Sequence, residues 1–153
     1  MDVVLLKDVA PALGLGTTGD ALSVRTAYTY SRFVFVDDRT FNDNDIPGAP
    51  RHFIRSELRY THLSGAWLAP NVEFVPTGYF VDSANTVRTP SYALFNIGAG
   101  YDYKPANVSL FFEARNLTNE RYVSAVSVDN ANGRFFDPGD GRAFYGGVSW
   151  RFR

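Results

Sequence analysis

The chain has 153 residues, no cysteine and a formal net charge of −1, a length that fits one domain. Lack of cysteine excludes disulfide staples and thiol-based metal or redox chemistry. The near-neutral charge, with Lys7 and Lys104 as the only lysines, argues against a nucleic-acid partner. Aromatic residues make up 16% of the chain, heavy for a soluble domain, while a mean hydropathy of −0.17 excludes an α-helical membrane protein. A transmembrane barrel accommodates both facts, because half of each strand faces water.

No segment of useful length carries a helical period, and the chain reads as strands divided by turn-rich loops. Asp2 to Val9 is read as a first strand. Leu22, Val24, Thr26, Tyr28 and Tyr30 then alternate with Ser23, Arg25, Ala27 and Thr29. Asp37 to Pro50 is a polar loop rich in Asp, Asn, Pro and Gly. Ile54, Ser56, Leu58 and Tyr60 alternate with Arg55, Glu57 and Arg59, and His62 to Gly65 is a tight turn. Trp67 to Phe80 is strand-like but carries Pro70 and Pro76. Proline donates no ladder hydrogen bond, so both positions are expected at bulges or strand ends.

After a loop at Asp82 to Pro90, Ala93, Phe95, Ile97, Ala99, Tyr101 and Tyr103 form one face. Val108, Leu110, Phe112 and Ala114 form the next. Asn116 to Asn119 is read as a hairpin turn, since asparagine tolerates left-handed backbone and bonds locally, with Leu117 tucked beneath it. That turn leads into a strand at Tyr122 to Val128, then a long loop from Asp129 to Gly141. In the closing strand Phe144, Val148, Trp150 and Phe152 share one parity, while Tyr145, Ser149 and Arg151 take the other. The total is about eight strands near the length a tilted strand needs to cross a bilayer. Parity alone does not say whether the apolar faces point to a core or to lipid.

Two segments break that symmetry. Phe111 to Tyr122, with Asn116-Leu117-Thr118-Asn119 at its centre, resembles a hairpin near the end of TonB-dependent outer-membrane receptors. Pro138 to Arg142, followed by the aromatic last strand, resembles the pattern after it. Tyr28 to Ser31, Pro47 to His52, and Tyr79 to Thr86 with Ser91-Tyr92 resemble the same family in the same order.

The resemblance implies an all-β fold, the C-terminal part of an antiparallel 22-stranded transmembrane barrel of the plugged-transporter kind, located in the bacterial outer membrane. It implies uptake of an iron–siderophore complex or a similar scarce nutrient, powered by TonB through an N-terminal box. No signal peptide, plug or box is read ahead of Asp2. Residues 1–153 are therefore expected to be a C-terminal barrel portion without the plug, starting at an internal Met and not competent for transport alone. Expected partners are outer-membrane lipid, the barrel-assembly machinery, which would read Phe144, Val148, Trp150 and Phe152, and a ferric siderophore in the full receptor. Arg153, beyond that aromatic, departs from the usual ending.

A periplasmic C-terminus puts the Asn116 to Asn119 turn in the periplasm and the Asp129 to Gly141 loop outside. It also puts the long Asp37 to Pro50 loop in the periplasm, at odds with the usual short periplasmic turns. Arg134, Phe135 and Phe136 in the last loop are the ligand-binding candidates. Tyr28, Tyr30, Tyr60, Tyr101, Tyr103, Trp150 and Phe152 fall near strand ends, as in an interfacial girdle.

Other clusters point to structure. The acidic loops Asp37 to Asp45 and Asp129 to Asp140 match no calcium-loop spacing. His52 and His62 stand at opposite ends of one strand, about 30 Å apart. Glu57 and Glu113 read as partners of Arg55, Arg59 and Arg115. No nucleophile elbow or phosphate loop is present, so neither an enzyme nor a cofactor is expected. Two alternatives stand beside the receptor reading: a small eight-stranded outer-membrane anchor or adhesin, and a soluble barrel holding a hydrophobic ligand.

Overall fold

A computed structural model describes residues 2–8 and 19–152; the readings placed on Val9 and Arg153 lie outside them. The described strands are β1 (Asp2–Asp8), β2 (Ala21–Tyr30), β3 (His52–Thr61), β4 (Ala66–Val75), β5 (Tyr92–Tyr103), β6 (Val108–Arg115), β7 (Val123–Val126), β8 (Phe136–Pro138) and β9 (Ala143–Trp150). Seven form one antiparallel sheet in the order β1-β2-β3-β4-β5-β6-β9, and β7 and β8 pair separately. Each period-2 segment read from the sequence therefore becomes a strand of the sheet, with one exception.

That exception corrects the hairpin at Asn116 to Asn119. The turn itself is present, with Asn119 N–H donating to Asn116 C=O at 2.8 Å. It does not join neighbouring strands, because β6 pairs with β9 from Val108↔Trp150 to Arg115↔Ala143. Residues 116–142 are one excursion, and the expected wall strand at Tyr122 to Val128 contributes only the short β7. Leu117 is 37% exposed rather than tucked under. The physical reason is length. Four residues at Val123–Val126 make a ribbon with β8, whereas the eight alternating residues of β9 match β6 along its whole length.

Pro70 also differs from expectation. It sits inside β4 opposite Ile97 of β5, with no bulge on that side. Towards β3 the ladder skips Leu58 and Arg59 and resumes in the same register at Tyr60↔Leu68. Proline removes one donor, and pairs on both sides hold the register across the gap.

The two faces have opposite chemistry. Leu22, Tyr60, Leu68, Ala99, Phe112 and Gly146 stand in one row across six strands. On this face Phe144, Val148 and Trp150 are 61%, 70% and 60% exposed. Leu68, Phe95 and Phe112, on strands paired on both sides, are 44%, 49% and 46% exposed on the same face; a soluble sandwich would bury them, whereas a membrane wall presents them to lipid. Tyr101 and Tyr103, ring centroids 6.4 Å apart, and Trp150 and Phe152, 4.4 Å apart, gather at the rim with the short turns. Tyr28 and Tyr30 pack on His52 at the other rim.

On the inner face aromatic rings lie over glycines of the next strand. A Cβ on Gly100 would come within 2.5 Å of the Trp67 ring and 2.6 Å of Leu110 O, and Phe111 covers Gly147 in the same way. The glycines are small because the rings occupy their side-chain space. Gly100→Val is expected to cost about 1–3 kcal/mol by overpacking, read as a lower urea midpoint of the micelle-folded receptor carrying this wall. Gly146→Ala, where the nearest atom to a Cβ is Phe111 O at 3.6 Å, is the control and should stay within about 0.5 kcal/mol. Equal midpoints for the two variants would show that the Trp67–Gly100 contact constrains nothing.

Candidate functional site

Parity that turns apolar side chains outward turns the charged ones inward. Arg25, Glu57, Asn71 and Asn96 face one another in succession across β2, β3, β4 and β5. Arg55 lies opposite Glu73, with Nη1 3.7 Å from Oε1. On β6 the Arg115 guanidinium grips Glu113 with two bonds of 2.9 Å and lies 5.0 Å from the Tyr145 ring. Glu113 is thus joined to Arg115 as expected, whereas Arg55 pairs with Glu73, and Arg59 lies over the Trp67 ring at 4.3 Å. Such half-exposed pairs contribute only about 0–1 kcal/mol each, so their main effect is to keep the wall wettable.

Above this row is a polar cavity of about 320 Å³ lined by Asn71, Asn96, Glu113, Arg115, Tyr122 and Tyr145 among others. Its roof is set by Asn116, 3% exposed and held at φ 50°. Asn116 N–H donates to Asn96 Oδ1 at 2.8 Å, and Asn96 Nδ2 donates to Asn71 Oδ1 at 2.9 Å. The Asn116 amide donates to the carbonyls of Glu120 and Asp140, and its oxygen accepts from Glu120 N–H. One side chain therefore ties the start of the 116–142 excursion to its end. All seven non-glycine residues with positive φ among those described are Asn or Asp, the types that tolerate that region best.

The loops 31–51, 76–91 and 116–142 leave the same end of the sheet and bond to one another. Ser83 donates N–H and Oγ–H to the two Asp129 oxygens at 2.7 and 2.6 Å. Asp45 and Asn85 exchange two bonds of 2.8 Å, and Asn44 Nδ2 donates to Ser83 C=O at 2.9 Å. Gly48 N–H donates to Phe80 C=O, and Asp129 N–H to Val81 C=O. Most acidic residues of these loops are thus engaged in loop structure. Asp38 accepts from Thr40 and Phe41 N–H, and Asp45 holds Arg51. Among the described residues no three acidic or imidazole groups converge on a metal position.

Arg134, Phe135 and Phe136 lie in the 116–142 excursion, at this same end. Phe135 C=O accepts from Ser127 N–H, and the Phe135 and Phe136 rings meet edge-on at 6.3 Å. Arg134 and Phe136 are exposed. None of the three lines the polar cavity. Sequence reasoning missed the Asn71–Asn96–Asn116 chain and the Ser83–Asp129 tie, because both join residues 20 or more positions apart. The one local signal was the run Asp82-Ser83-Ala84-Asn85-Thr86, rich in side chains that bond their own backbone.

Asp82 organises that run. Its carboxylate accepts from Thr86 Oγ1 at 2.6 Å, from Thr86 N–H at 3.0 Å and from Val87 N–H at 2.8 Å. Burial raises its pKa, but the Thr86 hydroxyl and the Val87 and Thr86 amides outweigh it, and the net shift is downward. A carboxyl whose pKa is lower folded than unfolded stabilises above the unfolded value, and loses that stabilisation as pH falls through the folded one. Amide exchange at Thr86 and Val87 should therefore show full protection at pH 6. Relative to the strand amides, that protection should fall as pH drops below the ordinary aspartate value near 4. Asp82→Asn should lose it at every pH; protection independent of both changes would sink the assignment.

A family model described as TonB dependent receptor-like, beta-barrel matches residues 11–117. The ferrioxamine B receptors of Salmonella typhimurium strains SL1344 and LT2 are 29% identical to this chain over 141 residues, covering 87% of it. The chain spans 19% of the length of those relatives. The crystal structure of the ferric citrate transporter FecA in its unliganded form superposes with a TM-score of 0.75 at 21% identity, covering 96% of this chain and 23% of that one. That likeness concerns the fold, and the relatives are named as receptors and a transporter rather than enzymes. With 107 consecutive residues matched, through most of the sheet and two of its three long loops, the chain belongs to the TonB-dependent receptor β-barrel family.

Proposed function

We propose that these strands form part of the wall of a bacterial outer-membrane receptor that takes up an iron–siderophore complex. The supporting observation is the sidedness of the sheet: an exposed apolar wall on one face and charged residues on the other. A water-filled barrel in lipid requires that arrangement. The alternative of a soluble barrel would need the apolar face inside. The small closed barrel would need β1 and β9 to pair, and they stand at opposite edges of the described sheet. Unpaired edge groups in hydrocarbon cost several kcal/mol each. Both edges therefore call for further strands of the same wall, and transport is assigned to the assembled barrel rather than to these strands alone. Coupling to TonB is assigned to parts of the receptor outside these strands, and reading by the barrel-assembly machinery to β9.

Orientation in this reading follows from loop length. The connections at residues 62–65 and 104–107 are short and lie at one end; 31–51, 76–91 and 116–142 lie at the other. Short periplasmic turns and long extracellular loops put the three long loops outside. This revises the expected sidedness of Asn116 to Asn119 and removes the difficulty of a long periplasmic loop at Asp37 to Pro50. The earlier count took Tyr122 to Val128 as a crossing; without it the strands alternate correctly. Arg134, Phe135 and Phe136 then stand outside, where a ligand arrives.

The chain has no native cysteine, so single cysteines report sidedness cleanly. Asn132→Cys in the receptor carrying this wall should react with a membrane-impermeant maleimide on intact cells, and Ser64→Cys only after permeabilisation. The reverse pattern would overturn the orientation. Substituting Arg134, Phe135 and Phe136 together by alanine should weaken binding of ferrioxamine B or ferric citrate, whichever supports growth, at least tenfold with the barrel still heat-modifiable. Failure of both iron complexes to bind or support growth would overturn the siderophore reading.

A further inference from the structure

A second cavity, of about 180 Å³, opens between loops 31–51 and 76–91. It is lined by Ser31, Arg51, His52, Tyr79, Phe80 and Arg88 among others. It lies at the rim of the apolar wall. His52 heads β3, and its ring stacks on Tyr28 at 6.0 Å and meets Tyr30 at 5.3 Å. Tyr28 stands in the outer row with Ile54 and Phe74.

The charges in the cavity are two arginines against one carboxylate. Arg51 uses Nη2 alone to reach both Asp45 oxygens, at 2.6 and 2.8 Å. A guanidinium carries five N–H donors, so its Nε and Nη1 edge stays available, and the side chain is 46% exposed. Arg88 rests 3.9 Å above the Phe80 ring, a contact that fixes the guanidinium while leaving its hydrogen-bond edges open. Phe33 and Ile46 on the same lining are 56% and 42% exposed. The cavity thus offers a planar cationic clamp suited to a phosphate, above an apolar surface continuous with the lipid-facing wall.

We propose that this cavity binds the phosphate of a membrane lipid, held by Arg51 and Arg88, with the lipid's hydrocarbon chain lying along the Tyr28, Ile54 and Phe74 row. Charge complementarity selects the phosphate, and the exposed Phe33 and Ile46 beside it select a lipid over a free anion. The proposal rests on the reading that the outer face meets lipid. It does not depend on which nutrient the receptor carries.

The test uses the receptor carrying this wall, purified in neutral detergent micelles, with its folding verified by heat-modifiable mobility. It is titrated separately with dihexanoyl phosphatidic acid, dihexanoyl phosphatidylcholine and inorganic phosphate. Phosphatidic acid is expected to bind saturably, at least tenfold more tightly than inorganic phosphate or the zwitterionic lipid. Arg88→Gln should weaken it at least fivefold and Arg88→Lys much less; Arg88 is exposed, so both variants keep the loop. Arg51→Lys tests the second arm with its charge retained and its fork removed. Equal affinity for phosphatidic acid and inorganic phosphate would show a free-anion site and overturn the lipid assignment. No saturable binding, or binding untouched by Arg88→Gln, would overturn the site itself. A failed siderophore experiment leaves these outcomes unchanged, whereas a micelle-free, water-soluble monomer would remove the common foundation of both readings.

Discussion

Everything in this sheet depends on one constraint: a backbone amide or carbonyl in hydrocarbon has no water to bond, so each must find a partner in the protein. Antiparallel pairing across six interfaces, from β1–β2 through β6–β9, meets that demand along the wall. It also dictates the faces. Once the ladder is continuous, side chains can point only to lipid or to the lumen, and period-2 alternation sorts them. Pro70 shows how far the constraint bends. The β3 ladder loses two positions beside it, yet the register on both sides is unchanged, because a slip of one residue would turn a whole face of β4 from lipid to water.

Local patterns therefore carried most of the fold. The alternation of Leu22 to Tyr30, of Ile54 to Tyr60 and of Phe144 to Trp150 is visible in any ten-residue window, and each becomes a wall strand. What alternation could not reveal was the sign of the faces, since a soluble sandwich and a membrane barrel read alike. The exposure of Leu68, Phe95 and Phe112, on strands paired on both sides, favours the membrane reading. Pairing partners were equally illegible where they skip along the chain. Tyr122 to Val128 has the composition of a strand, and only the match between β6 and β9 reveals that the place beside β6 is taken. That one misplacement set Asn116 to Asn119 apart from the 129–141 loop, although both leave the same end of the sheet, since each crossing changes the side of all loops counted past it.

The candidate sites follow the same division. Arg134, Phe135 and Phe136 were legible as residues of a long loop, but not their separation from the polar cavity beneath. The cavity is assembled by long-range bonds. Asn71, Asn96 and Asn116 come from β4, β5 and the start of the last excursion, and no sequence window contains more than one of them. Asn96 is the relay, its side-chain oxygen accepting from the Asn116 backbone N–H while its Nδ2 donates to Asn71 Oδ1, which one amide can do at once. The buried polar residues of the described chain, Asp82, Ser83, Thr89 and Asn116, all lie at or near this loop end. The ion pairs Arg55–Glu73 and Arg115–Glu113, by contrast, sit along the wettable wall, where pairing costs little and contributes little.

Along the strands, rings fill the space over glycines, with Trp67 on Gly98 and Gly100 and Phe111 on Gly147, and Tyr122 covers Gly139 in the last loop in the same way, so packing sets spacing in both. The long-loop end adds to this packing a set of polar ties between its loops. At the long-loop end, carboxylates and amides cross-link three loops, and Ser83 and Asp129 join loops whose contact residues lie 46 positions apart. Packing of rings survives any change in the water beyond the rim. The polar ties depend instead on donor and acceptor geometry. The register of the wall and the joining of its loops are thus secured by separate sets of contacts, ladder and ring packing for the one and side-chain hydrogen bonds for the other.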